Sequence, residues 1–277
     1  MRKIAGIGEI IAGYSALVLD LWGVVHDGVA PYPGVVECLA KLRGAEVRVV
    51  MLSNAPRRAA AAGDALRRMG ITDDCYHAIV TSGEVVRGML ARDGDPLLAG
   101  WGERFWHLGP PRDRNLFEGL DVLEVPLDRA DFILNTGPDD ERDPTDPTAF
   151  DAELRLAAAR GLPMLCANPD LEVMRAGKRI ICAGLLAERY RAMGGVVVSA
   201  GKPDPLVYRP VFDLIDAPRE RILAVGDSLR TDMAGAKAVG IDHAWVLGGL
   251  HKDDGDPDQA ARDAGLAPNY VMRGFVW

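Results

Sequence analysis

The chain has 277 residues, 48% of them hydrophobic, and a net charge of −8 at pH 7. That length allows one large domain or two ordinary ones with sizeable cores. The acidic balance excludes a basic footprint for nucleic acid, and no apolar run is long enough to span a membrane.

Arg2 and Lys3 precede apolar residues, but Glu9 and Asp20 interrupt the run and no A-x-A site follows, so a signal peptide is rejected. Residues 4–13 have the pattern of a short amphipathic helix. The apolar run Leu17–Leu19 reads as a buried strand that ends in Asp20 and, three residues on, Gly23. In an open parallel sheet, ligands sit beyond the carboxyl ends of strands, so Asp20 is placed for chemistry. A helix is expected over about 34–43, a strand over 47–52 ending in Ser53 and Asn54, and a helix from Pro56 to Met69 stopped by Gly70. Residues 77–83 read as a strand whose Thr81 and Ser82 can cap the next helix, 84–92. DGDP at 93–96 breaks the pattern.

Short apolar runs follow near 101–108, 121–125 and 131–135, then a helix over 147–160, a strand and turn at 162–170 and a helix over 183–195. GPDDERDPTDP, 137–147, reads as a solvated loop. From 196 the first pattern resumes: the strand VVVS, the turn GKPDP, a helix, then RILAVGD, which puts Asp227 at a second strand end. A helix, the strand DHAWVL, a helix over 256–265 and a tail, PNYVMRGFVW, that either adds a strand or docks loosely complete the chain. The alternation implies a doubly wound, parallel α/β core, residues 1–83 and 196–277, with an inserted α/β domain, 84–195. Two strand-end acids suggest one acidic site for a hard cation such as Mg²⁺. Cys38, Cys75, Cys166 and Cys182 form no CxxC pair and read as reduced thiols of a cytoplasmic protein. His77, His107, His243 and His251 show no metal-ligand spacing.

Four pieces stand in order: DLWGV, SN after a strand, GKP, and GDSLRTD after a strand. Together they resemble the haloacid dehalogenase superfamily. DGVAPYPG, ANPD and GKPDP add a resemblance to its class IIA branch, which includes phosphatases of small metabolites. The resemblance covers nearly the whole chain and implies a Rossmann-like core with an inserted cap. It implies that Asp20 is the nucleophile that forms an aspartyl-phosphate, with Ser53 and Asn54 on the transferring phosphoryl group and Lys202 neutralising it. Asp20, the backbone carbonyl of Trp22 and Asp227 are the implied Mg²⁺ ligands, with Asp232 ligating or supporting. Gly23, Trp22, Asn168 and Asp170 are expected against substrate, although Asn168 and Asp170 also read as a turn. The implied partner is a small phosphorylated metabolite, and capped enzymes of this kind often pair through the cap.

One position departs from the family. Its phosphatases carry a second aspartate two residues after the nucleophile, as general acid and base, and here that residue is Trp22. General acid–base catalysis contributes about 10² to 10⁴ in rate, so its loss matters most for poor leaving groups. The expectation is a preference for activated phosphates, or an acid borrowed from Asp27 or His26. Two alternatives stand beside it. Dehalogenases of the superfamily carry an aromatic residue at the same place and need no metal. A retained phosphate or nucleotide pocket could also serve binding alone.

Overall fold

The computed structural model describes residues 1–91, 95–175, 178–248 and 255–277. Asp93 and Gly94 of the DGDP break, and His251, lie outside the described residues.

Strands β1 (Arg2–Lys3), β2 (Ala16–Leu19), β3 (Arg48–Ser53) and β4 (Ala78–Thr81) are linked by helices α1 (Val35–Gly44) and α2 (Ala59–Arg68). Helix α3 (Ser82–Ala91) leads into β5 (Arg104–Leu108), β6 (Leu123–Glu124) and β7 (Phe132–Asn135). Helix α4 (Asp151–Ala159), β8 (Met164–Cys166), the pair β9 (Glu172–Arg175) and β10 (Lys178–Ile181), α5 (Ala183–Ala192) and β11 (Val197–Ser199) follow. The chain then runs through α6 (Arg209–Leu214), β12 (Ile222–Gly226), α7 (Ala234–Val239), β13 (Asp242–Val246), α8 (Pro257–Asp263) and β14 (Tyr270–Met272).

These strands make two parallel sheets. The first has the order β1-β14-β13-β12-β2-β3-β4, and the second β11-β8-β7-β5-β6. Among the strands of the described residues, only β9 and β10 pair antiparallel. β2 and β12 are buried along their whole length, as parallel strands covered on both faces must be. They are neighbours at the centre of the first sheet, with Leu19 opposite Val225. That register sets Asp20 and Asp227 side by side, beyond the strands' carboxyl ends.

Several boundaries differ from the sequence expectation, each for a physical reason. Residues 4–13 form two 3₁₀ turns, Ile7–Glu9 and Ile11–Gly13, rather than a helix. The tail lies against them: Ile7 N donates to Val276 O, and a Cβ on Gly6 would lie 2.4 Å from the Trp277 carbonyl carbon. Helix α2 begins at Ala59 and not at Pro56, because the preceding loop is tied elsewhere. Thr81 Oγ1 donates to Arg57 O (2.6 Å), and Gly83 N to Ala55 O (3.1 Å). β4 stops at Thr81, whose hydroxyl accepts from Glu84 N and caps α3. The strand VVVS does not resume the first sheet. Val197–Ser199 pairs with Met164–Cys166, so it is an edge of the second. Gly195 makes that return possible, since a Cβ there would lie 2.3 Å from the Tyr190 ring. The tail does add a strand, β14, between β13 and β1.

Candidate active site

Asp20 follows β2 and is 8% exposed. Its Oδ1 accepts a 2.5 Å hydrogen bond from Lys202 Nζ. The same ammonium donates to Asp232 Oδ1 (2.6 Å) and Leu52 O (2.9 Å), which engages all three of its protons. Burial would lower the Lys202 pKa, but Asp20 and Asp232 overcome it and hold the ammonium firmly charged. Burial pushes the Asp20 carboxyl up; Lys202 pulls it down, and Asp232 and Asp227 push it up again.

Asp232 belongs to a π-helical turn, Leu229–Met233, ahead of α7. Its Oδ2 accepts from Ser228 N (3.1 Å), and a Cβ on Gly226 would lie 2.1 Å from its Cγ. The Asp227 carbonyl is held by Trp245 Nε1 (2.8 Å). Carboxylate oxygens of Asp20, Asp227 and Asp232 lie within 4.8 Å of one another, all three residues buried. Gly23 has φ +79°, and a Cβ there would lie 1.9 Å from Asp227 Oδ2. Only glycine lets the loop after Asp20 pass this close to that carboxylate. The donors are hard oxygens, the set that Mg²⁺ or Ca²⁺ takes.

Asn54 joins the core to the second domain. Its Oδ1 accepts from Lys202 N (2.7 Å) and Ser82 Oγ (3.3 Å), and its Nδ2 donates to Lys202 O (3.2 Å) and Asp170 Oδ1 (2.9 Å). Asp170 thereby hangs over the cluster, and burial raises its carboxyl pKa. Asn168 Oδ1 accepts from Asp170 N, so the expected turn is present. Ser53 is buried, and its Oγ accepts from Ala55 N.

A cavity joins Asp20, Trp22, Gly23, Asp170, Lys202 and the two later aspartates. A wider cleft beside it reaches Ser53 and Asn168, and Trp22, Asp170 and Val173 line both. Two of the expected groups are placed differently. The Asp27 carboxylate accepts from Val29 N and Ala30 N, a turn that holds it ionised, and the residue lines neither cavity. The His26 ring is edge-on to Trp22, accepts from Gly28 N at Nδ1, and is pushed by burial down to about 4. A neutral imidazole that accepts a backbone proton is not a general acid near pH 7.

The β9–β10 hairpin was missed by sequence reading, although Glu172, Val173 and Met174 wall the first cavity. The runs EVMR and KRII do not alternate apolar with polar residues, so the sequence carried no period-two strand signal there.

With this geometry in view, residues 17–122 match the haloacid dehalogenase-like hydrolase family, and residues 199–275 match a second, related hydrolase family description. The chain belongs to the haloacid dehalogenase-like hydrolases. The structure of a haloacid dehalogenase-like hydrolase from Brucella suis 1330 superposes with a TM-score of 0.87 at 29% identity, covering 99% of this chain and 100% of that one. The phosphoserine phosphatase of Thermus thermophilus is 30% identical over 175 residues, 62% of this chain and 66% of that enzyme, just under two thirds of its length. A glycerol phosphate phosphatase from Mycobacterium tuberculosis, solved in complex with magnesium, superposes with a TM-score of 0.69 at 26% identity, covering 96% of this chain and 77% of that one.

Proposed function

We propose that this hydrolase is a Mg²⁺-dependent phosphatase of small phosphorylated metabolites, acting through an aspartyl-phosphate on Asp20. The observation that carries the reading is the grip of Lys202 on Asp20 and Asp232, beside Asp227, at the ends of neighbouring central strands. The names of the Thermus and Mycobacterium relatives point the same way.

Asp20, Asp227 and Asp232 are the residues that would hold the cation, which when bound offsets charge on the phosphoryl oxygens and orients them. The Asp20 carboxylate attacks phosphorus, the P–O bond to the leaving group breaks, and water then hydrolyses the acyl phosphate to restore the carboxylate. Lys202 keeps Asp20 oriented and offers positive charge where the phosphoryl group arrives. The Ser53 hydroxyl, which lines the adjoining cleft, is the proposed donor to the phosphoryl oxygens, while the Asn54 amide, bonded to Lys202 and Asp170, holds the lysine in place. No carboxyl stands at position 22 to protonate the leaving oxygen, which favours leaving groups that depart as stable anions.

The test is phosphate release from acyl, aryl and alkyl phosphates, with and without Mg²⁺. We expect Mg²⁺-dependent turnover that falls at least ~10³-fold in Asp20→Asn. Release that is independent of Mg²⁺ or survives in the variant would sink the proposal.

A further inference from the structure

The wide cleft beside the cluster is not accounted for by the chemistry at Asp20. It runs between the two domains, and arginines from three separate elements line it. Arg57 follows β3 in the core, Arg112 lies in the 3₁₀ turn Pro111–Leu116 of the second domain, and Arg175 ends strand β9 of the hairpin. In a chain of net charge −8, this convergence runs against the overall balance. Two carboxylates line the same cleft: Asp170, at its junction with the first cavity, and Asp113.

Asp113 shows what holds the arrangement. The residue is 2% exposed, and its Oδ1 has no hydrogen bond; the nearest charge is Arg57 Nε at 3.4 Å, across the domain boundary. Arg57, Arg112 and Thr136 offset the cost of burying this carboxylate only in part. Burial pushes its carboxyl up to about 6, against Arg57 and Arg112, which pull it down. The Arg57 side chain is 40% exposed, and the residue lines the cleft. Its stem is anchored, since the Arg57 carbonyl accepts from Thr81 Oγ1. Arg175 makes no ion pair among the described residues, and Arg112 is paired with Asp140.

We infer that this cleft is a leaving-group subsite for a second anionic group, so that the substrate is a short phosphomonoester carrying a carboxylate or a further phosphate. The phosphoryl group sits at Asp20, the chain of the substrate passes Trp22 and Val173, and its distal anion meets Arg57 and Arg175. Asp113 acts as a positioning residue that aims Arg57. The inference rests on the reading of Asp20 as the phosphoryl site, and it names the class of substrate taken there.

Phosphonates test it without turnover. Calorimetric titration of the intact protein in Mg²⁺ would compare propylphosphonate, 4-phosphonobutanoate and propane-1,3-bisphosphonate. A charge-assisted bidentate contact corresponds to roughly tenfold or more in Kd. We expect at least one of the two probes with an anionic tail to bind about tenfold more tightly than propylphosphonate, and the preferred one tells carboxylate from phosphate. Arg57→Gln should reduce that ratio to within about threefold, and Asp113→Asn should reduce it in the same sense while the thermal transition shows a folded protein. Arg175→Gln serves as the second variant should Arg57→Gln unfold. Equal affinity for all three probes, or a ratio unchanged in the folded arginine variants, overturns the subsite. Phosphate release from metabolites without this discrimination overturns the subsite alone. Discrimination without any phosphate release supports the subsite and removes the hydrolytic reading instead.

Discussion

Gly23 and Asp170 are the two single residues through which the proposed site is most sharply tested. A methyl group at Gly23 meets Asp227 Oδ2 at 1.9 Å on a backbone with φ +79°, so either the loop or the carboxylate must move. Gly23→Ala is expected to weaken Mg²⁺ activation at least ~10-fold and to cost about 1–3 kcal/mol of stability. Mg²⁺ titration of activity, with a urea unfolding curve, reads both effects. Asp170 is a carboxyl of raised pKa that lines both cavities. His26 and Asp27 are engaged elsewhere, which makes Asp170 the better-placed group to protonate a leaving oxygen. Asp170→Asn should therefore slow alkyl phosphates at least ~10-fold more than aryl phosphates. Equal losses for both substrates would assign it a role in holding Asn54 alone.

At the scale of the element, the strand ends decide what the site contains. β2 and β12 deliver Asp20 and Asp227 because they are register neighbours, and the π-helical turn after β12 swings Asp232 back onto Lys202. In the second sheet, β5 carries His107, whose Nε2 meets Thr136 Oγ1 at 2.9 Å and whose pKa burial lowers from 6.5 to about 4. The unfolded chain binds more protons between those two values, so this histidine's contribution is complete above pH 6.5 and declines as pH falls to 4. Its size is up to roughly 3 kcal/mol. Wild type should lose stability relative to His107→Gln across that window, read as the difference between their urea midpoints at pH 7 and pH 4.5. A difference that stays constant would show that the ring is not held neutral.

The whole molecule is closed by its two ends. β14 lies between β13 and β1, and Val271, Met272 and Phe275 of the same segment are buried. Each such side chain contributes about 1.5–3 kcal/mol, which together rivals the stability of a typical domain. Deleting residues 270–277 should lower Tm by more than about 10 °C or leave no cooperative transition in a calorimetric scan. The two sheets are tied at the site itself, since Asn54 binds Asp170 and Lys202 together. Movement of the Asp170 loop of the second domain is therefore mechanically linked to the Lys202 backbone.

The parallel core, the inserted domain and most elements were legible in the sequence, because buried parallel strands are continuous apolar runs punctuated by glycine and proline. Asp20 and Asp227 stood out locally as strand-end acids, whereas Ser53, Lys202 and Asp232 were singled out by motif order and family resemblance; the fold brings Asp20, Lys202, Asp227 and Asp232 together. What only the tertiary structure decided depends on distance across the fold. VVVS has the same composition whichever sheet it joins, and pairing alone assigns it to the second. Asp27 and His26 are adjacent to the first motif in sequence, yet one is turned onto its own loop and the other is buried against Trp22. Arg57 and Asp113 stand 56 positions apart and form their ion pair only when the second domain folds down onto the core. Local sequence determines how a chain leaves a strand, whereas burial and long-range packing decide which charges finally face one another.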